Sequence, residues 1–206
     1  MRTPFADLPP LHGALVRLRA REQADLTRLN AMFNDPEVLA GLEMTFPQPL
    51  AGIRDWMERT RDSSSQATFV IETLQGSEAI GVTSLERIDS RARGASFGIW
   101  IGRPFWGRGL GTDATRTVCR FGFRHMNLQR ISLCVYAETN AKAVRAYEKT
   151  GFKREGIRRQ GQFLDGHYVD VLDMGLLAAE LIDDQQLVRF PTAGSGDSRA
   201  SSEPVG

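Results

Sequence analysis

Apolar and polar residues take turns through 13–19, where Val16 and Leu18 are interleaved with Arg17 and Arg19. That period of two predicts an opening strand. The period then lengthens. Leu26, Leu29 and Phe33 recur every three or four residues, which predicts a helix over 21–33 that Asn34, Asp35 and Pro36 interrupt. Ile53, Trp56 and Met57 mark a second amphipathic helix over 50–62, behind Pro47 and Pro49 and ahead of Ser63, Ser64 and Ser65. Three β-rich runs follow at 67–74, 79–88 and 94–101, with Gly76 and Ser77 as a tight turn. Such short connections predict an antiparallel meander.

Leu110, Ala114, Val118 and Phe121 fall on one stripe of a helix over 111–126. The strand after it, 131–137, is joined to 94–101 through that helix, so the two are expected to run parallel. Asn140 reads as an N-cap and Gly151 as the C′ residue of a short helix over 141–150. Strands at 152–157 and 168–176 close the pattern, with Asp165 and Gly166 in their connection. From 186 onward Ser, Gly and Pro dominate and large apolar groups nearly vanish. The expectation is one domain over 1–185 and a disordered tail over 186–206.

Composition narrows the function classes. The chain has 206 residues, a formal net charge of +1 and a pI near 7.8. That balance argues against a nucleic-acid partner, which needs a basic face. Local basic clusters (Arg87, Arg91, Arg93; Lys153, Arg154, Arg158, Arg159) read as solvated surface. The two cysteines, Cys119 and Cys134, are too few for a disulfide framework and read as buried thiols in a reducing compartment. His12, His125 and His167 are scattered, so no metal site is expected. No apolar run reaches the roughly 20 residues of a membrane span, and no leader pattern opens the chain. A soluble, cytoplasmic protein without a membrane partner is the expectation.

The most informative stretch is Trp106-Gly107-Arg108-Gly109-Leu110-Gly111-Thr112, between the strand 94–101 and the helix 111–126. Glycines at alternate positions leave backbone N–H groups bare, and a following helix points its positive end at them. That is a socket for a phosphate or pyrophosphate. A dinucleotide fingerprint would need glycine where Thr112 stands, and a P-loop would need Lys-Ser/Thr where Arg108 and Gly109 stand. Both are excluded. What stays open on the glycines alone is an anion socket or a plain turn.

A second signature separates them. Asn140-Ala141-Lys142-Ala143-Val144-Arg145-Ala146-Tyr147 leads into Gly151-Phe152. The glycine loop resembles motif A of the GNAT N-acetyltransferase superfamily, and this run resembles its motif B. The flavour is nearest the branch that includes ribosomal-protein N-terminal acetyltransferases. Trp106 stands where that motif usually has Arg or Gln. The resemblance spans about residues 13–178. It implies an α/β (α+β) fold with a mixed, mostly antiparallel sheet of about seven strands. The sheet would splay between 94–101 and 131–137 and be flanked by about four helices.

The resemblance also implies acetyl-CoA as co-substrate and a primary amine as acceptor, either a protein N-terminus or a small molecule. The pyrophosphate would sit on the loop, with Trp106, Gly107, Arg108, Gly109, Leu110, Gly111 and Thr112 around it. The pantetheine arm would lie along Ile99, Trp100 and Ile101, and the thioester near Asn140, Ala143 and Tyr147. A backbone N–H near Ile99 or Trp100 would face the developing oxyanion. Tyr147, matching the family's Tyr, would be the proton donor to the thiolate. The base is less legible. Relatives often carry a Glu where Ser96 stands, and Ser96 can only hold a water. Glu86 is the nearest acid, with Asp89 and His167 behind it. Glu43, Asp165 and Asp170 are candidates to attract a cationic amine. The alternative reading is a non-catalytic acyl-CoA-binding module on the same fold. Homodimerisation is implied by the resemblance only.

Overall fold

The computed structural model describes residues 10–42, 46–60, 63–136, 140–164 and 166–183. Eight strands form one sheet in the order β1-β2-β3-β4-β5-β6-β8-β7. They are β1 (Leu11–His12), β2 (Val16–Arg19), β3 (Ala67–Thr73), β4 (Ala79–Asp89), β5 (Gly94–Ile101), β6 (Arg130–Tyr136), β7 (Lys153–Leu164) and β8 (His167–Leu177). The sheet has one strand more than the pattern suggested. The extra strand, β1, lies ahead of the predicted run 13–19 and folds back on β2 because Gly13 N–H bonds the Val16 carbonyl at 2.8 Å and turns the chain. Every pairing is antiparallel except β5 with β6, which is parallel as the intervening helix required.

Five α-helices occur among the described residues: α1 (Leu26–Phe33), α2 (Pro36–Ala40), α3 (Leu50–Thr60), α4 (Leu110–His125) and α5 (Ala141–Glu148). The expected stop at Asn34–Pro36 both ends α1 and starts α2. Asp35 accepts the Glu37 N–H at 2.9 Å as an N-cap, with Pro36 in the first turn, where its missing N–H costs nothing. The first helix is shorter than predicted because Gln23–Asp25 forms a 3-10 turn ahead of it.

The two faces of the sheet are covered differently. α4 and α5 press Leu110, Ala114, Val118, Phe121 and Val144 onto Leu18, Phe69, Leu85, Phe97, Ile131 and Met174. Each such buried side chain contributes about 1.5–3 kcal/mol. On the other face α1 lays Leu29 against Val70, Ala79 and Val82, with Met32 and Trp100 beside them. On that face Tyr136, Val169 and Val171 form a separate buried cluster beside Leu164, but Cys134 stands outside it and β7 is exposed from Lys153 to Gly161. Cys134 on β6 is therefore exposed rather than buried, whereas Cys119 in α4 is buried as expected. The tail proposed for 186–206 lies outside the described residues, as do Glu43, Asp165 and the last residue of the predicted strand 131–137.

Candidate active site

β5 and β6 stay together for only three pairs, ending at Ser96 with Ser132. Beyond them β5 keeps its bonds to β4 through Ile101, and β6 keeps its bonds to β8 through Tyr136. The strands thus splay as expected. Past Ser96 the edge of β5 that faces the gap, where Ile99 and Ile101 lie, has no partner strand. An extended, peptide-like arm can bond to such an edge as an added strand.

The glycine loop lies at the open end of this gap. A 3-10 turn (Arg103–Phe105) leads from β5 to Trp106, whose indole N–H donates to the Ile101 carbonyl at 2.6 Å. Trp106 thereby latches the loop to the end of β5. Gly107 and Gly109 adopt left-handed φ values of 75° and 78°. Gly109 is the N-cap of α4 and uses no side chain for it, so the first N–H groups of the helix point outward bare. The Arg108 guanidinium rests 5.6 Å above the Phe105 ring. Leu110 turns its side chain into the core and offers only its backbone, while Gly111 and Thr112 are half-buried.

The helix start is braced from across the molecule. The buried Asp113 carboxylate accepts backbone N–H bonds from Ala14, Leu15 and Val16 at 3.0, 2.7 and 3.0 Å. Sequence reasoning assigned Asp113 no role. Its partners are nearly a hundred residues away, beyond any periodicity.

Below the gap lies a groove of about 870 Å³ between α1, α3 and the uncovered face of the sheet. Phe33, Ile53, Trp56 and Trp100 form its apolar wall; Phe33 meets Trp100 edge-on at 5.2 Å. Ser132, Cys134 and Asn140 line it too. The alternation of Arg130, Ser132, Cys134 and Tyr136 along β6 was the sequence signal for this polar face.

Tyr147 lines the groove and packs edge-on against Phe97 at 5.8 Å. Burial, and then the neighbouring Cys134, push its phenol above the ordinary tyrosine range, so it remains protonated at neutral pH. Asn140 starts α5 through its carbonyl, which accepts from Ala143 and Val144, but its side chain makes no cap bond. Asn140 is thus the N-cap read from the sequence, without a side-chain bond. Ala143 packs half-buried against the core.

Glu86 also lines the groove, with Oε1 accepting from the Ser84 hydroxyl at 2.8 Å. A Cβ at Gly98 would stand 3.0 Å from Ser84 Oγ and 3.8 Å from Glu86 Oε1, so this glycine keeps the space over Glu86 open. Ser96 is the cross-strand partner of Glu86, and its hydroxyl accepts from Arg87 Nε at 3.0 Å. Asp89 instead accepts the N–H groups of Arg91 and Ala92 in a turn. His167 opens β8 at the hairpin tip, opposite Leu164, and Asp170 accepts the Gln160 N–H at 2.8 Å. The structure therefore brings Glu86, Ser96, Asn140 and Tyr147 to one groove.

No group of three or more metal-ligating side chains occurs among the described residues, and no described helix is long and apolar enough to cross a membrane.

Comparison with known proteins accounts for this arrangement. The family model described as an acetyltransferase (GNAT) domain matches residues 16–153. Spermidine N(1)-acetyltransferase of Escherichia coli (strain K12) is 30% identical over 170 residues, covering 81% of this chain and 87% of that protein. An uncharacterized N-acetyltransferase, p20, of Bacillus licheniformis is 28% identical over 173 residues, covering 82% of this chain and 97% of that protein. Among solved structures, spermidine N-acetyltransferase from Vibrio cholerae in complex with CoA and spermine superposes with a TM-score of 0.75. It is 28% identical, covering 80% of this chain and 96% of that one. The chain thus belongs to the GNAT acetyltransferase family and is an N-acetyltransferase that uses acetyl-CoA to acetylate an amine.

Proposed function

We propose that the acceptor is a small-molecule amine held in the groove, with Glu86 taking its proton and Tyr147 supplying one to the departing thiolate. Bound acetyl-CoA supplies the activated thioester. The N–H groups of 108–112 hold its pyrophosphate at the positive end of α4, and the unpaired edge of β5 at Ile99–Ile101 orients the arm. An N–H near Ile99 or Trp100 faces the charge that develops on the carbonyl oxygen. An ammonium cannot attack, so the groove must accept a proton, and Glu86 is the carboxylate that Gly98 leaves accessible. Spermidine acetyltransferases among the relatives support a small amine over a protein N-terminus. The observation that carries this reading is the meeting of the open β5 edge with a groove holding both Glu86 and Tyr147.

The test begins with thermal shifts in acetyl-CoA, CoA, NADH and ATP; stabilisation selective for the first two is expected. Thiol release across an amine panel then follows. Tyr147→Phe and Glu86→Gln should each lower kcat by about 10²-fold or more, with CoA affinity retained. A kcat within about threefold of the parent in either variant removes that residue's role.

A further inference from the structure

The charges on the groove wall select among amines. We infer that the acceptor carries a carboxylate next to its amine, and that Arg87 is the residue that reads it. This rests on the acetyl-transfer reading above.

Among the described residues the wall carries five arginines, at 21, 59, 87, 130 and 158, against the three carboxylates of Glu86, Glu155 and Asp173. Two of those carboxylates are already matched. Arg130 grips Glu155 with both guanidinium nitrogens, and Arg158 reaches both Asp173 oxygens at 3.0–3.2 Å. Glu86 is left facing Arg59 and Arg87, which have no carboxylate partner among the described residues. A polycation would meet repulsion here, whereas an anionic group lowers the energy of the whole wall.

The backbone shows where that group would sit. In a regular strand Glu86 and Arg87 would point to opposite faces. Instead the register of β4 against β5 shifts between Glu86 and Asp89, and Arg87 takes a left-handed φ of 50°. Bulges of this kind re-aim a side chain, and non-glycine residues at positive φ are strained. The result is that Arg87 comes round to Ser96, the partner of Glu86, so an acid and a cation line the groove side by side. An ammonium and a carboxylate on one carbon match that pair. The amine then lies over Glu86 beside Gly98, and the carboxylate lies against the planar guanidinium fork. Phe33, Ile53, Trp56 and Trp100 are left for an apolar body. The class is thus an α-amino acid with a large apolar side chain. A peptide N-terminus lacks the adjacent carboxylate, and a polyamine lacks any.

The experiment measures thiol release at saturating acetyl-CoA with phenylalanine, phenylalaninamide and spermidine, for the parent, Arg87→Gln and Arg87→Lys. Calorimetric titration of phenylalanine into each CoA-loaded protein runs beside it. Phenylalanine should exceed the other two at least tenfold in kcat/KM. Arg87→Gln should raise its KM at least tenfold and bring the ratio to phenylalaninamide within about twofold, and Arg87→Lys should recover part of the gap. Spermidine or the amide serving as well as phenylalanine overturns the inference and leaves acetyl transfer standing. So does an Arg87→Gln protein that loses activity on every amine alike. Phenylalanine binding that depends on Arg87, with no thiol release from any amine, supports the carboxylate site and overturns the catalytic assignment instead.

Discussion

Replacing Gly109 with alanine separates the phosphate socket from the stability of the fold. Gly109 holds φ at 78° as the N-cap of α4. An added Cβ would have Leu15 Cδ1 as its nearest neighbour at 3.5 Å, an ordinary contact, so no clash with the protein arises. What remains is the left-handed backbone, which costs a non-glycine residue on the order of 1–2 kcal/mol. For a chain of this size that lowers Tm by roughly 2–8 °C. A matched control exists at Gly76, with φ of 97° and its nearest neighbour, Glu78 Cγ, at 3.9 Å. Gly76→Ala incurs the same backbone cost in the β3–β4 turn, far along the chain from the loop. The two variants should melt alike but bind CoA differently. At Gly109, relaxing the strain turns the peptide that begins the socket and brings a methyl group beside it. CoA should therefore bind at least about tenfold more weakly, or about 1.4 kcal/mol, while Gly76→Ala binds as the parent does. Melting curves and calorimetric titration with CoA read both quantities. CoA affinity within about twofold of the parent in Gly109→Ala would refute the socket at the start of α4.

Two further outcomes are expected. The Glu72 carboxylate is buried between Arg17 and Arg19, and Asp25 also pairs with Arg19. Burial raises the pKa of both acids, but the arginine hydrogen bonds outweigh it and hold both below their ordinary values. Their stabilisation is thus present above the unfolded-state values of 4.5 for Glu72 and 3.8 for Asp25, and is lost as pH falls through the folded ones. Tm should drop steeply below about pH 4.5. Glu72→Gln should cost about 2–3 kcal/mol at pH 7, less than a fully buried pair because Arg17 is 34% exposed, and should flatten the acid slope. An unchanged slope in that variant counts against the network. Alkylation of the native protein should modify one cysteine. Cys134 is exposed on the groove wall, while burial raises the Cys119 thiol pKa and shields it. Mass spectrometry should find the label on Cys134, slowed by bound acetyl-CoA and acceptor; rapid labelling of Cys119 would contradict the packing of α4.

The order of elements was legible in the sequence because each is set by local periodicity and local punctuation. The stripe of Leu110, Ala114, Val118 and Phe121, the break at Asn34–Pro36 and the cap at Gly151 need only near neighbours along the chain. The glycine loop was legible for the same reason, since its alternate glycines and the helix after them lie within a few residues of one another. The parallel pairing of β5 with β6 followed from the helix between them. Other features depend on contacts that no local window contains. Asp113 finds its partners in 14–16 only after α4 packs on the sheet. The exposure of Cys134 depends on which sheet face the helices leave bare. The bulge that brings Arg87 beside Ser96 exists only in the register of β4 with β5. Sequence alone thus determined the elements and the glycine loop proposed to hold the phosphates. The groove proposed for the acceptor, and its charge, were decided by tertiary structure, because they are built from side chains of α1, α3 and β4 to β8 that share nothing until the helices pack on the sheet.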